Sequence, residues 1–235
     1  MTLTGGTESV RPPAPTARDP LLLIAAAAVA AVFVRAVRFT PIEMRQGPAQ
    51  KIFYVHAPAA WVAFLAFSVV ALAGVLYLWL RDPRLDRIAE SSAEVGLVFN
   101  TVVLVTGPLW GKPVWGTWWT WDARLTLTLF LWLIYVGYVV LRGAIDDREM
   151  RARYASVLGA LGALLIPFIH LSVYLFRTLH PQPIVLKPSA PSLPGEMLTT
   201  LLLSFLAFTL LYIALVRSRY RLATLHLALE QEGRA

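Results

Sequence analysis

Long apolar stretches alternate along this chain with short connections that carry its prolines and arginines. Six stretches reach or approach the roughly 20 residues needed to cross about 30 Å of hydrocarbon: residues 21–37, 55–80, 92–109, 125–141, 154–176 and 197–216. Inside lipid a segment must satisfy its own backbone hydrogen bonds, which an open strand cannot do, so each stretch predicts a helix. The expected fold is an all-α integral membrane protein with six transmembrane helices. The first stretch is the weakest, because Arg35 lies near its end and is expected to snorkel toward the interface. Residues 1–20 contain RPPAP, lack apolar periodicity and read as a disordered N-terminal tail. A signal peptide over residues 1–34 is the competing reading, since Arg11 and Arg18 precede an alanine-rich run. Residues 21–216 form one membrane domain with no internal repeat, and residues 217–235 a basic C-terminal tail.

Composition narrows the chemistry. Of 235 residues, 57% are apolar and only 15% charged, outside the range of soluble domains. The absence of cysteine excludes disulfides, thiolate metal sites and a thiol nucleophile, leaving histidine as the strong soft-metal ligand. The net charge of +7 is scattered through the connections. No basic helix or aromatic-basic face is present, so nucleic acid is not an expected partner, and the charges instead orient the chain in a lipid bilayer. With six spans both termini share a side with residues 81–91 and 142–153, and that side holds thirteen of the 21 lysines and arginines. The termini are therefore expected in the cytoplasm, and residues 38–54, 110–124 and 177–195 outside.

Residues 110–126 of the outer side read WGKPVWGTWWTWDARLT, with five of the eight tryptophans in twelve residues. Gly107-Pro108 and Lys112-Pro113 are expected to break the preceding helix there. An interfacial aromatic belt would account for indoles at this depth. The spacing of Trp115, Trp118, Trp119 and Asp122 goes further, predicting a short helical segment with three indoles and a carboxylate on one face. Broad π surfaces with one N–H each suit a large flat apolar ligand such as a planar macrocycle. Gly107-x-x-x-Gly111-Lys112 only approaches a phosphate-binding loop: its spacing is one residue short, and Pro113 stands where Ser or Thr would hold magnesium, so no ATP site is expected.

Two histidines fall on the same predicted face, His56 in KIFYVHAPAAW and His180 in FRTLHPQP. Either alone could be a polar residue at a tolerable depth. Together, flanking the tryptophans, they could clamp a haem iron from two helices. His170, deeper in the fifth stretch, reads as a core or hydrogen-bonding residue, and His226 as solvated.

Residues 115–122, WGTWWTWD, resemble the tryptophan-rich WGxxWxWD signature of the haem-handling proteins of cytochrome c maturation. The continuation Ala123-Arg124-Leu125-Thr126, together with YVHAPAAW, SAEVG and Thr178-Leu179-His180, resembles the haem exporter protein C (CcmC) family across about residues 45–180. Leu175 and Phe176 depart from it, standing where a tryptophan pair is expected. The resemblance implies a multi-pass protein of the bacterial inner membrane that holds haem b at the outer face and passes it to a periplasmic haem chaperone. It also implies a complex with the ATPase and permease subunits of an ABC transporter and a small single-span protein, and a delivery role rather than an enzyme's. On this chain it implies His56 and His180 as axial ligands. Trp115, Trp118, Trp119 and Trp121 would form the platform, Asp122 would orient the loop or a partner, and Lys112, Arg124 or Arg177 would meet the haem propionates. A b-type electron-transfer subunit and a cofactor-free permease are the alternatives. The first normally carries histidine pairs near both faces, and the second would use the tryptophans only as anchors.

The charge count generates a topological prediction. Reporter fusions at residue 116 and after residue 182 read periplasmic, and one at residue 148 reads cytoplasmic; a cytoplasmic signal at residue 116 would remove the shared outer face.

Overall fold

The computed structural model describes residues 19–185, 187 and 189–232, with side chains to residue 229. Nearly all of the segment read as a disordered tail or signal peptide start, residues 1–18, lies outside the described residues, as does Arg234 of the charge count. The helices are α1 (Pro20–Arg38), α2 (Phe53–Leu80), α3 (Pro83–Trp115), α4 (Ala123–Ala144), α5 (Arg148–Ala163), α6 (Leu165–Leu175) and α7 (Gly195–Glu232). A 3₁₀ turn, Pro48–Ile52, leads into α2. Since α5 and α6 make one interrupted rod, six rods among the described residues are long and apolar enough to cross a membrane, as the apolar pattern predicts.

Local chemistry sets the boundaries. Asp19, Asp82, Asp122 and Asp147 each cap a helix, their carboxylates accepting from the backbone N–H of Leu21, Arg84, Leu125 and Met150. Such caps contribute roughly 1 kcal/mol each, and Pro20 and Pro83 follow two of them at positions where a missing N–H costs nothing. Further along, Pro167 interrupts the fifth rod: α5 stops at Ala163, whose carbonyl the proline ring would otherwise meet. The breaks expected at Pro108 and Pro113 do not occur, because α3 runs through both. Membrane helices accommodate proline where surrounding groups support the loosened turn, and α3 closes only at Gly116, whose positive φ of 78° suits a residue without Cβ. There Lys112 Nζ donates to the Gly116 carbonyl at 3.0 Å. α7 also outruns expectation: residues assigned to the basic tail continue its helix to Glu232.

α2 is the axis of the bundle, packed against α3, α5 and α7, while α1 lies on α7, and α4 meets α3, α5 and α6. Without a hydrophobic difference between protein and lipid, close approach and hydrogen bonds must hold the rods together. At Gly96 on α3 an added Cβ would come within 2.7 Å of Ala66 Cβ and 2.9 Å of the Phe67 ring. Phe67 stacks on Tyr135 of α4 with centroids 3.6 Å apart, and Tyr135 donates its hydroxyl to the Gly159 carbonyl of α5 at 3.0 Å. The Ser92 hydroxyl donates to the Ala66 carbonyl at 2.9 Å and so accepts from Tyr212 at 2.8 Å, linking α3, α2 and α7. Trp61 and Trp132 donate their indole N–H to Thr209 and Thr101. Arg35, expected to snorkel, turns its Nε toward Thr200 Oγ1 on α7 at 3.1 Å.

The tightest of these contacts yields a prediction. Gly96→Ala places a methyl against a rigid Ala66 Cβ, and lowers stability by about 1–3 kcal/mol, read as an earlier unfolding midpoint in mixed micelles. An unchanged midpoint would mean α2 and α3 are not in this register.

Candidate functional site

The N-terminal turns of α2, the C-terminal half of α3, the loop at residues 116–122, the start of α4 and the segment after α6 converge at one end of the bundle. Between α3 and α4 the chain is not helical, which corrects the expected short tryptophan-rich helix. Gly116 terminates α3 and the Asp122 cap starts α4, so the helical spacing of Trp115, Trp118, Trp119 and Asp122 spans a helix end, a loop and a cap. Within the loop Thr117 donates to the Trp119 carbonyl at 3.0 Å, and Thr120 to Asp122 Oδ2 at 3.1 Å. Asp122 thus fixes both the loop and the α4 terminus, since its other oxygen accepts from Leu125 N.

Even without a helix, Trp115, Trp118, Trp119 and Asp122 all line one cavity of about 80 Å³ together with His56 and His180. A second cavity, of about 310 Å³, adjoins it and shares His56, Trp110, Arg124 and His180; its size is at the low end of the roughly 300–1,000 Å³ of ligand sites. Trp121 lines neither. It is 76% exposed, with its ring edge-on to Trp119 at 5.7 Å. His170, read as a core residue, borders the larger cavity, with its ring 6.5 Å from Tyr174. His226 is exposed near the opposite end.

The two histidines present the same nitrogen. Thr106 spends its only hydroxyl proton on a backbone carbonyl, Val102 O at 2.7 Å, so toward His56 Nδ1 at 2.9 Å it acts as acceptor. Nδ1 therefore carries a proton, which in the neutral ring leaves the Nε2 lone pair of His56 free. His180 Nδ1 lies 2.9 Å from the Pro181 carbonyl, which can only accept, and the same conclusion follows for its Nε2. His180 is also held neutral: burial first, then the Arg124 guanidinium, pulls its pKa from 6.5 down to about 3, with the Pro181 carbonyl opposing. His180 is thus in the protonation state of a metal ligand, and His56 presents the same tautomer when neutral. The His56 ring is confined by Trp110, edge-on at 5.7 Å, and by the bare Cα of Gly107, where an added Cβ would meet the ring at 3.4 Å. The segment bearing His180 is anchored where Ile184, Val185 and Leu193 pack on Phe53 and Tyr54 of α2 and Leu201 of α7.

Among the three cations proposed for propionates, Arg124 alone lines these cavities. Lys112 caps α3, and Arg177 is exposed. Buried Arg124 Nη1, Trp119 Nε1 and Asn100 Nδ2 have no hydrogen-bond partner, and all three residues line the smaller cavity. All are donors, so the complementary occupant offers acceptors on an otherwise apolar, aromatic body. Thr106, Trp110 and Asn100 were missed by the motif reading. Periodicity does place Thr106 one turn before Trp110 on α3, but nothing in the sequence aims that face at α2.

The family profile for Heme exporter protein C matches residues 11–234. Heme exporter protein C of Haemophilus influenzae is 40% identical over 189 residues, covering 80% of this chain and 76% of that protein. The Bradyrhizobium diazoefficiens protein of that name is 41% identical over 175 residues, covering 74% of this chain and 66% of its own length. In Escherichia coli K12 the figures are 40% over 162 residues, 68% and 66%.

The Thr106 contact sets a measurable expectation. Thr106→Val removes the acceptor for His56 Nδ1, and loss of such an orienting partner weakens metal binding about 10–100-fold. Titration of the purified variant with ferric haem reads this loss, whereas Thr106→Ser retains affinity; equal affinities for Val and wild type would remove Thr106 from the site.

Proposed function

The chain belongs to the Heme exporter protein C family, and from that premise we propose that it binds haem b between His56 and His180 and hands it to a periplasmic haem chaperone during cytochrome c maturation. The supporting observation is the pair of imidazoles on separate elements, each with Nδ1–H engaged and Nε2 free, around an aromatic cavity whose buried donors lack acceptors. Two axial imidazoles leave an iron no open position, which suits carriage over oxygen chemistry. Haem is the cargo here. The chain's own part is to bind, orient and shield it.

Arg124 supplies the cation for a propionate, because it is buried at the junction of both cavities with Nη1 unspent. Asn100 and Trp119 offer further donors. Trp115, Trp118 and Trp119 wall the cavity, and the half-exposed Trp118 and exposed Trp121 also present indole surface outward for a chaperone to dock on. The ATPase and permease subunits of an ABC transporter and a small single-span protein complete the complex in this reading, and the bacterial inner membrane is its location, with this end of the bundle outside. Both alternative classes predict different spectra: a permease binds no haem, and a redox subunit shows quinone-linked reduction.

Spectra of purified variants test the assignment. His56→Ala and His180→Ala lose bound haem or show an altered axial spectrum, whereas His170→Ala keeps a low-spin bis-histidine spectrum, read by absorption and magnetic circular dichroism. Arg124→Gln weakens haem binding about tenfold, the scale of one charge-assisted hydrogen bond. Loss of haem from His170→Ala with retention in His180→Ala would overturn the ligand assignment.

A further inference from the structure

At the end of the bundle away from the histidines lies a cavity of about 950 Å³, enclosed by the end of α2, the start of α3, the end of α4, the start of α5 and the C-terminal part of α7. Among the described residues its lining includes six arginines and four carboxylates. The carboxylates are already engaged. Arg142, buried in the last turn of α4, forks onto Asp86 at 2.6 and 3.0 Å and places Nε on Glu90 at 3.1 Å. Arg219 pairs with Glu94, and Glu149 reaches Arg81 at 3.9 Å and Arg153 at 3.7 Å.

What remains is a set of groups able to donate. Arg87 lies over the Tyr220 ring at 5.4 Å, and Arg151 touches the Ile145 carbonyl only at 3.4 Å. The Nε of each is buried with no hydrogen-bond partner. Tyr138 and Ser91 are each 1% exposed and line the same cavity, and their hydroxyls are also buried without partners. Buried donors left unsatisfied are costly, and a ligand with several acceptor oxygens and negative charge would satisfy the four together. Water could satisfy the hydroxyls, but it would bring no negative charge to Arg87 and Arg151.

We propose that this cavity is a phosphate-binding site, with Arg87, Arg151, Tyr138 and Ser91 as its donors. It stands apart from the haem reading, since it shares no residue with the histidine cavities. The phosphate can belong to an anionic phospholipid headgroup, which basic pockets between membrane helices recognise, or to a free phosphate compound.

The test uses the full-length protein in neutral detergent and measures thermal unfolding with added inorganic phosphate or pyrophosphate in one arm and phosphatidylglycerol or cardiolipin in the other. Phosphatidylcholine serves as the zwitterionic control. Arg87→Gln, Arg151→Gln and the milder Tyr138→Phe are compared with wild type, because Tyr138→Phe removes one hydroxyl and leaves the ring packing intact. A stabilising shift with phosphate or pyrophosphate, weakened about tenfold in apparent affinity by these variants, supports a free phosphate ligand. A shift with the anionic lipids alone, equally weakened, supports a headgroup. No shift in either arm, or shifts of the same size in wild type and all three variants, would overturn the proposal.

Discussion

Hydrocarbon offers no water to a polar group, so every donor and acceptor in a membrane bundle must be answered from within the protein or left at a cost. This chain answers most of them between rods. Ser92, Tyr212 and the Ala66 carbonyl tie three helices at one point, Tyr135 reaches the Gly159 carbonyl, and two indoles find threonines on neighbouring rods. Each such bond contributes only about 0.6 kcal/mol on average, but together with the close approach at Gly96 they set the order in which the rods pack. The buried side-chain atoms left without partners are then informative by where they fall. Asn100, Trp119 and Arg124 line the smaller histidine cavity, Gln50 borders the larger, and Arg87, Ser91, Tyr138 and Arg151 line the arginine-bearing cavity. Tyr54 and Thr126, the other two among the described residues, sit in the first turns of α2 and α4. Eight of these ten atoms among the described residues thus line one of the three cavities.

Punctuation of the helices turns that packing into a site. The αL residue Gly116 and the Asp122 cap delimit the loop that carries three of the tryptophans, and the same carboxylate holds Thr120. α6 ends at Leu175, which sends the chain back across the end of α2, where Ile184, Val185 and Leu193 hold it. His180 is thereby delivered to the face of the bundle that already bears His56. A helix that stopped at Pro108, as the dipeptide suggests, would have removed Trp110 from the His56 ring and Lys112 from the Gly116 carbonyl.

Hydropathy made the six rods legible, because length and apolar content are sufficient conditions for a span and no tertiary contact is needed to read them. The caps at Asp19, Asp82, Asp122 and Asp147 are local in the structure too, each carboxylate reaching a backbone N–H two or three residues on, but the hydropathy pattern does not read them. The tryptophan segment was legible in composition and not in conformation: three- and four-residue spacing cannot distinguish a helix face from a loop whose ends happen to be a C-cap and an N-cap. Proline is ambiguous in the same way, since whether a helix breaks there depends on the neighbours supporting the loosened turn. The histidines and Arg124 were visible as residue types, yet the partner that fixes the His56 tautomer, Thr106, lies fifty residues away and belongs to the packing of α2 on α3.

The two proposed ligands are supported unequally, and this bears on delivery. His56 sits on the first turns of the central helix, with its Nδ1–H fixed by a threonine of another rod and its ring hemmed in by Trp110 and Gly107. His180 stands on an irregular segment, and its Nδ1–H is satisfied by the carbonyl of the very next residue. If that segment shifts, the ring and its partner travel together and no hydrogen bond to another element is broken, whereas displacing His56 would strip the Thr106 contact and disturb the α2–α3 interface. On the proposed function, ligand exchange with a chaperone therefore costs least at His180. His56 remains as the fixed half of the clamp, and the exposed Trp118 and Trp121 lie on the loop that flanks the exchange.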